Sequence, residues 1–224
     1  MSRILVINPN SSAVVTAAIE RSVAPLRMAG GPLIEVRGLA SGPVGIASQQ
    51  DADSVVPALV EWVARDQADA FVLACFSDPG IHAVREAALG RPVMGIAEWG
   101  VLRALTLGER FGIIALSPSS IRRQQRYVRQ IGVQDRYAGS WPVHAMAADT
   151  AGPAMLDRLA EAGSQLVAAC RADVVVLGCA GMALHRQALE QRLGVPVIEP
   201  VQQAVGAAVT AVMLLASDHS AATA

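Results

Sequence analysis

The chain states one strand-to-loop transition twice, and this repetition limits what it can fold into more than any other feature. An apolar run, Ala70 to Leu73, passes through Ala74 and Cys75 into the turn residues Phe76-Ser77-Asp78-Pro79-Gly80, and Val174 to Leu177 passes into Gly178-Cys179-Ala180-Gly181. Asp69 and Asp173, Val72 and Val176, Leu73 and Leu177, Pro92 and Pro196, and Val93 and Val197 keep the same separation as Cys75 and Cys179, 104 positions. A second echo joins Asn8-Pro9-Asn10-Ser11-Ser12 to Leu116-Ser117-Pro118-Ser119-Ser120, with Pro9 and Pro118 standing 109 positions apart. The offset drifts by a few residues, so the pattern predicts two copies of one half-size unit that differ by small insertions.

Each copy alternates short apolar runs with helical stretches. Leu5 to Ile7, Leu33 to Val36, Ala70 to Leu73 and Pro92 to Ile96 read as buried strands in the first copy. Arg110 to Leu116, Tyr137 to Val143, Val174 to Leu177 and Val195 to Ile198 do so in the second. One helix is expected over Asp51 to Asp66, with Val55, Leu59, Trp62 and Val63 on its buried face and Pro57 in its first turns. Alternation of β and α elements implies parallel sheets. The expected fold class is α/β, with two pseudo-symmetric Rossmann-like lobes, parallel sheets, and an active-site cleft between them. The N-terminal lobe is expected over 1–97, with a C-terminal helix over 200–217 packing back on it, and the C-terminal lobe over 98–199.

In such folds the loops at the carboxyl ends of parallel strands face the ligand crevice, where helix N-termini present free backbone N–H groups. Asn10, Ser11 and Ser12 therefore read either as substrate donors or as helix caps. The stretch Ala40 to Ser48, punctuated by Gly42, Pro43 and Gly45 and tipped by apolar Val44 and Ile46, is long enough to cover a pocket.

Composition removes several chemistries. All 18 basic residues are arginine, which excludes a pyridoxal phosphate Schiff base and a P-loop lysine. No G-x-G-x-x-G follows the first strand and no G-x-S-x-G occurs, so neither a dinucleotide site nor a nucleophile elbow has support. His82, His144, His185 and His219 make no metal-ligand spacing with one another or with cysteine, and no metal or cofactor is expected. A formal net charge of -1 without long runs of like charge gives no footprint for nucleic acid or an anionic membrane. The apolar stretch Ala204 to Ala216 is too short to cross a bilayer, which takes roughly 20 residues. An odd count of three cysteines and an opening that reads directly as a strand predict a cytoplasmic protein without disulfides.

Two cysteines at matched strand ends are a different signal from one buried cysteine. If the lobes are related by an approximate twofold, Cys75 and Cys179 face one another across the cleft. A cysteine between a strand and a helix N-terminus is expected to have a lowered pKa. One thiolate can then remove a proton from a carbon acid and the opposite thiol can return one from the other face. Such stereoinversion needs donors for the developing enolate, and Asn10, Ser77, Ser119 and nearby loop N–H groups are candidates. Cys170, late in an amphipathic helix, reads as a small buried hydrophobe.

Ile7-Asn8-Pro9-Asn10-Ser11-Ser12, Ala74-Cys75-Phe76-Ser77-Asp78-Pro79-Gly80 and Gly178-Cys179-Ala180-Gly181-Met182 together resemble the hydantoin racemase family of the Asp/Glu racemase superfamily, and the match runs nearly end to end. The resemblance implies a cofactor-independent, homo-oligomeric racemase acting on a small molecule, with Cys75 and Cys179 as paired acid and base. It also implies that Asn10, Ser119, Ser120 and the segments around Ser77, Ala180 and Gly181 hold the substrate. A nearly uncharged pocket suits a neutral ring such as a 5-substituted hydantoin, with Val44, Ile46 and Phe76 facing the substituent. Sister readings are an allantoin or amino-acid racemase, an arylmalonate-type decarboxylase, or a non-enzymatic binding protein on the same scaffold. Ala47, Trp99 and Glu199-Pro200 depart from the family pattern.

Overall fold

A computed structural model describes the backbone of residues 2–221 and the side chains of 2–215. Strands β1 (Arg3–Asn8), β2 (Leu33–Gly38), β3 (Ala70–Leu73) and β4 (Val93–Gly95) form a parallel sheet in the order β2-β1-β3-β4. Strands β5 (Phe111–Ala115), β6 (Tyr137–Pro142), β7 (Val174–Leu177) and β8 (Val197–Ile198) form a second parallel sheet in the order β6-β5-β7-β8. The two orders are the same once the second set is renumbered, so the repeat read in the sequence is a repeat of topology.

The duplicated residues have structural reasons. Asp69 accepts the backbone N–H of Arg3 at 2.7 Å, and Asp173 accepts those of Glu109 and Arg110 at 3.0 and 2.9 Å. Each aspartate thus satisfies backbone donors where the central strand of its sheet begins, groups that would otherwise be left unpaired. The carbonyls of Pro92 and Pro196 receive the N–H groups of Phe71 and Val175, which sets where β4 joins β3 and β8 joins β7.

Among the described residues, nine α-helices accompany the strands: α1 (Ala13–Val23), α2 (Gln49–Ser54), α3 (Val56–Arg65), α4 (Ile81–Ala87), α5 (Ile96–Leu105), α6 (Pro118–Gln130), α7 (Met155–Ala168), α8 (Arg186–Leu193) and, after the last strand, α9 (Pro200–Ala221). The single helix expected over 51–66 is two helices, α2 and α3, that meet at Val55. Pro57 has no N–H to continue the ladder of α2, but it is well placed in the first turn of α3. Val55, Leu59 and Val63 still fall on the buried side.

Both faces of each sheet are covered, which accounts for strands that are apolar throughout. Leu5, Ile7, Phe71 and Leu73 pack outward against α3 and α4, and Val175 and Leu177 pack outward with Leu159 of α7 and Leu189 of α8. Ile4, Val6, Val72, Ile113, Val174 and Val176 share a single core with α1, α5 and α9 between the sheets. Helix α5 packs on α9 and reaches β7, while α9 returns to β3 and β4 of the first sheet. No helix among the described residues is long and apolar enough to cross a membrane.

Candidate active site

The strand register that builds the sheets also aims the two cysteines. Ala74 N–H donates to the Ile7 carbonyl at 2.8 Å, and Gly178 N–H donates to the Ile114 carbonyl at 2.9 Å. Each pairing holds the residue just before a cysteine against the central strand of its own sheet. Both cysteines then line one cavity of about 40 Å³ between the sheets. A Cβ on Gly178 would stand 2.3 Å from the Ile114 carbonyl oxygen, so a residue with a side chain cannot be seated there without moving the Cys179 loop.

The two thiols have matched surroundings. The Ser77 N–H and hydroxyl favour the Cys75 thiolate, and the Gly181 N–H favours that of Cys179, so each sulfur faces the backbone N–H two residues on. Burial outweighs these bonds: it pushes the Cys75 thiol up to about 12, with the nearby Cys179 and Asp78 adding to the rise, and it also raises Cys179. The expected lowering of the cysteine pKa is therefore reversed. For Cys75, α4 starts only at Ile81, beyond a left-handed Gly80, so the thiol does not sit on a helix N-terminus; Cys179 immediately precedes a 3₁₀ turn over Ala180–His185, and burial raises it all the same.

Asn10 is the best-oriented donor of the cavity. Its Oδ1 accepts from Asn8 Nδ2 and from the Ser12 N–H, each at 3.0 Å, which fixes the amide so that Nδ2 is left without a protein acceptor among the described residues. Asn8, fully buried and also bonded to Thr16 Oγ1 at 3.0 Å, sets this orientation. Ser12 caps α1, and Ser11 donates its N–H to the Pro43 carbonyl, so those two serines hold the loop.

Ile46, Phe76, Ser77, Ser120 and Ala180 also line the cavity, whereas Val44, Ser119 and Gly181 do not. Val44 is 70% exposed at the tip of its loop, so its side chain faces solvent and not a substituent pocket. Ser119 donates to the Ala47 carbonyl at 2.9 Å, and Arg123 donates to the same oxygen at 2.9 Å. With Arg126 reaching Gln49 Oε1 at 2.7 Å, these bonds close the 40–48 loop of the first half onto α6 of the second. Gly181 is packed against the wall: a Cβ there would meet Thr150 Oγ1 at 2.2 Å.

Several residues of the site carry no local sequence signal. Arg123 and Gln124 come from the first turns of α6, and Gln124 is held by Ser140, whose hydroxyl donates to its Oε1 at 2.6 Å. Thr150 comes from a 3₁₀ turn over Ala147–Ala151 and is fully buried. Its hydroxyl donates to the Ala147 carbonyl at 2.7 Å, yet it is also within hydrogen-bonding reach of Cys179. One proton serves only one acceptor, so the Thr150 hydroxyl donates either to the carbonyl or to the sulfur and not to both at once.

Asp78 accepts the Ala97 and Glu98 N–H groups at 3.0 and 2.9 Å, tying the Cys75 loop to the N-terminus of α5. Glu199 plays the matching part for α9 in the second half, accepting from Val201 and Gln202 N–H and from the Ser22 hydroxyl. Trp99 donates Nε1 to Met94 Sδ and packs on the shared core, away from the cleft. No group of three metal-ligating side chains occurs among the described residues.

The sequence model of the Asp/Glu/Hydantoin racemase family matches residues 4–208. The chain belongs to this family. The racemase is 36% identical to a hydantoin racemase of Paenarthrobacter aurescens over 218 residues, covering 95% of this chain and 92% of that one. It is 34% identical to a hydantoin racemase of Pseudomonas sp. (strain NS671) over 217 residues, covering 95% and 86%. Among solved structures, allantoin racemase from Klebsiella pneumoniae superimposes with a TM-score of 0.88 at 29% identity, covering 96% of this chain and 89% of that one. The protein is accordingly an isomerase of the racemase type, which sets aside the reading as a non-enzymatic binding protein.

Outside the cavity, Cys170 follows α7 and its sulfur packs near Gly139. Cys170→Ser is expected to leave turnover unchanged and to shift stability by less than about 1 kcal/mol. Paired activity assays and thermal melts check this, and a large loss of turnover in a folded variant would give Cys170 a part in the chemistry that its place outside the cavity does not provide.

Proposed function

We propose that this racemase inverts the C5 stereocentre of 5-substituted hydantoins without a cofactor, using Cys75 and Cys179 as the two proton-transfer groups. The observation that carries the reading is the placement of two thiols, from equivalent loops of the two half-molecules, on one small cavity that also receives the free amide N–H of Asn10. The hydrogen at C5 lies next to a ring carbonyl. As one sulfur takes that proton as thiolate, the C–H electron pair moves into the ring and charge develops on the carbonyl oxygen. Asn10 Nδ2 is positioned to donate to that oxygen. The opposite thiol then delivers its proton to the other face of C5, and its S–H electron pair remains as the new thiolate. The enzyme is left with its thiol and thiolate exchanged, ready for the opposite enantiomer.

The mainly uncharged wall suits a ring of neutral amides, and the identity with hydantoin racemases supports the same substrate class. A decarboxylase requires only one proton donor, so a second thiol on the same cavity favours racemisation.

The raised thiol pKa values determine the pH dependence. With both thiols shifted upward by burial, the thiolate is the scarce form at neutral pH and its population grows about tenfold per pH unit. The expected profile is a rise of log kcat/KM with a slope near one from pH 6 to 8.5. A plateau already reached at pH 7 would contradict a resting pair of neutral thiols. The function itself is tested by incubating single-enantiomer 5-benzyl- or 5-methylthioethyl-hydantoin in deuterated water and following optical rotation together with exchange at C5. Absence of enzyme-dependent exchange with every hydantoin would refute the assignment.

A further inference from the structure

Beside the thiol cavity lies a second, larger groove of about 640 Å³, open to solvent, and the two share Phe76, Ser77, Arg123 and Gln124 as a common wall. The character of the groove is different. Gln49, Arg126 and Gln130 line it together with the shared Arg123, and Asp53 is its one carboxylate. That carboxylate is engaged, since Asp53 Oδ1 accepts from Gln49 Nε2 at 2.8 Å. The other acid of the same helix, Asp51, accepts the Ala47 and Ser48 N–H groups and caps α2.

The two arginines bond only to neutral partners, Arg126 to Gln49 and Arg123 to Ala47 and Ser120, with the Asp51 carboxylate near Arg123 but not paired to it. Helix α6 carries Arg122, Arg123, Arg126 and Arg129 and no acidic residue, and neither Arg123 nor Arg126 makes an ion pair among the described residues. Of the five N–H donors of Arg123, one serves the Ala47 carbonyl at 2.9 Å and one the Ser120 hydroxyl at 3.2 Å. Its Nε is buried and is the sole described side-chain atom of its kind with no hydrogen-bond partner. A buried donor on a cation is costly to leave unpaired. Arg123 stands on the wall shared by the cavity and the groove, and the terminal N–H groups not used by Ala47 and Ser120 are the donors it can offer a ligand there.

Resting on the hydantoin reading, we propose that Arg123 is a specificity-determining residue that receives a carboxylate at the far end of the C5 substituent, with Arg126 adding to the field of the groove. The ring then occupies the thiol cavity while a carboxyalkyl arm passes Phe76 and Ser77 into the polar groove. Guanidinium is suited to this because its fork matches a carboxylate and holds its charge throughout the neutral range. The preferred substrates are hydantoins of acidic amino acids, such as 5-(2-carboxyethyl)hydantoin, ahead of neutral analogues of similar length.

The test compares 5-(2-carboxyethyl)hydantoin with 5-(2-methylthioethyl)hydantoin on the full chain, for the wild type, Arg123→Met and Arg123→Lys. Loss of the bond to Ala47 lowers turnover of both substrates alike, so the informative quantity is the ratio of their kcat/KM values. Arg123→Met is expected to shift that ratio against the carboxylate by about tenfold or more, with partial recovery in Arg123→Lys and weakening of the wild-type preference at high salt. An unchanged ratio overturns the proposal. Calorimetric binding of 5-(2-carboxyethyl)hydantoin to wild type and Arg123→Met gives a readout that needs no turnover. Equal affinities overturn the inference even if no hydantoin is racemised, whereas a wild type that exchanges no hydantoin at C5 overturns the proposed function separately.

Discussion

Cys75→Ser and Cys179→Ser are each expected to lower racemisation by about 10²- to 10⁴-fold, the range a positioned acid or base contributes. A serine hydroxyl keeps the shape of the site but is far too weak an acid to carry a proton at neutral pH. The surroundings make the loss specific. Both sulfurs face a backbone N–H two residues on, and both loops are pinned by a main-chain bond to the central strand of their own sheet, so neither variant has cause to unfold. Thermal melts of the two variants should lie close to wild type while optical rotation stays flat. Melting temperatures that fall with the activity would shift the explanation from proton transfer to folding.

The second large effect concerns Asp78, which binds no substrate in this account. Asp78 is 4% exposed, and its carboxyl accepts two backbone N–H groups at the start of α5. Asp78→Ala leaves both donors buried and unpaired, at a cost of about 2–4 kcal/mol, and frees the loop that positions Cys75. Burial raises the Asp78 carboxyl to about 7, outweighing the N–H bonds and the nearby Arg85, and it raises the carboxyl of Glu199 as well. A carboxyl with a higher pKa folded than unfolded binds more protons in the native state between the two values. Its contribution to stability is therefore complete below the ordinary aspartate value of about 3.9 and is lost as pH rises through about 7. Glu35, Asp51 and Asp66, whose carboxyls are lowered by their partners, act in the opposite sense, so the readout is the difference between proteins: in denaturant melts wild type should lose stability relative to Asp78→Asn as pH rises from 4 to 7. A difference that instead moves in favour of wild type over that range would show that the hydrogen bonds win over burial.

The fold was legible because its repeat is written in residues with backbone duties. Asp69 and Asp173 satisfy strand-start donors, Pro92 and Pro196 present edge carbonyls, and Ala74 and Gly178 deliver the cysteines. Parallel strands buried on both faces also leave a plain apolar signal. The break at Val55 was less visible, since Pro57 is compatible with one helix in its first turns and with two helices meeting there.

The site was legible where a residue stands in a strand-end loop, as Asn10, Cys75, Ser77 and Cys179 do. It was not legible where tertiary packing decides. Arg123 and Gln124 look like the solvated face of a polar helix until the 40–48 loop closes over α6. Val44 and Ile46 are alike in sequence, but their positions along the loop turn one outward and the other in. The thiol pKa values depended on burial, which no local motif reports.

The central claim is that two thiols act from opposite faces of one carbon, and hydrogen exchange in the serine variants tests it most directly. Each enantiomer of 5-methylthioethyl-hydantoin is incubated in deuterated water with Cys75→Ser and with Cys179→Ser, and deuterium at C5 is followed by NMR. Each variant keeps one base, so it should exchange one enantiomer without inverting it, and the two variants should favour opposite hands. Exchange of the same hand by both variants, or racemisation at the wild-type rate by either, would contradict the account.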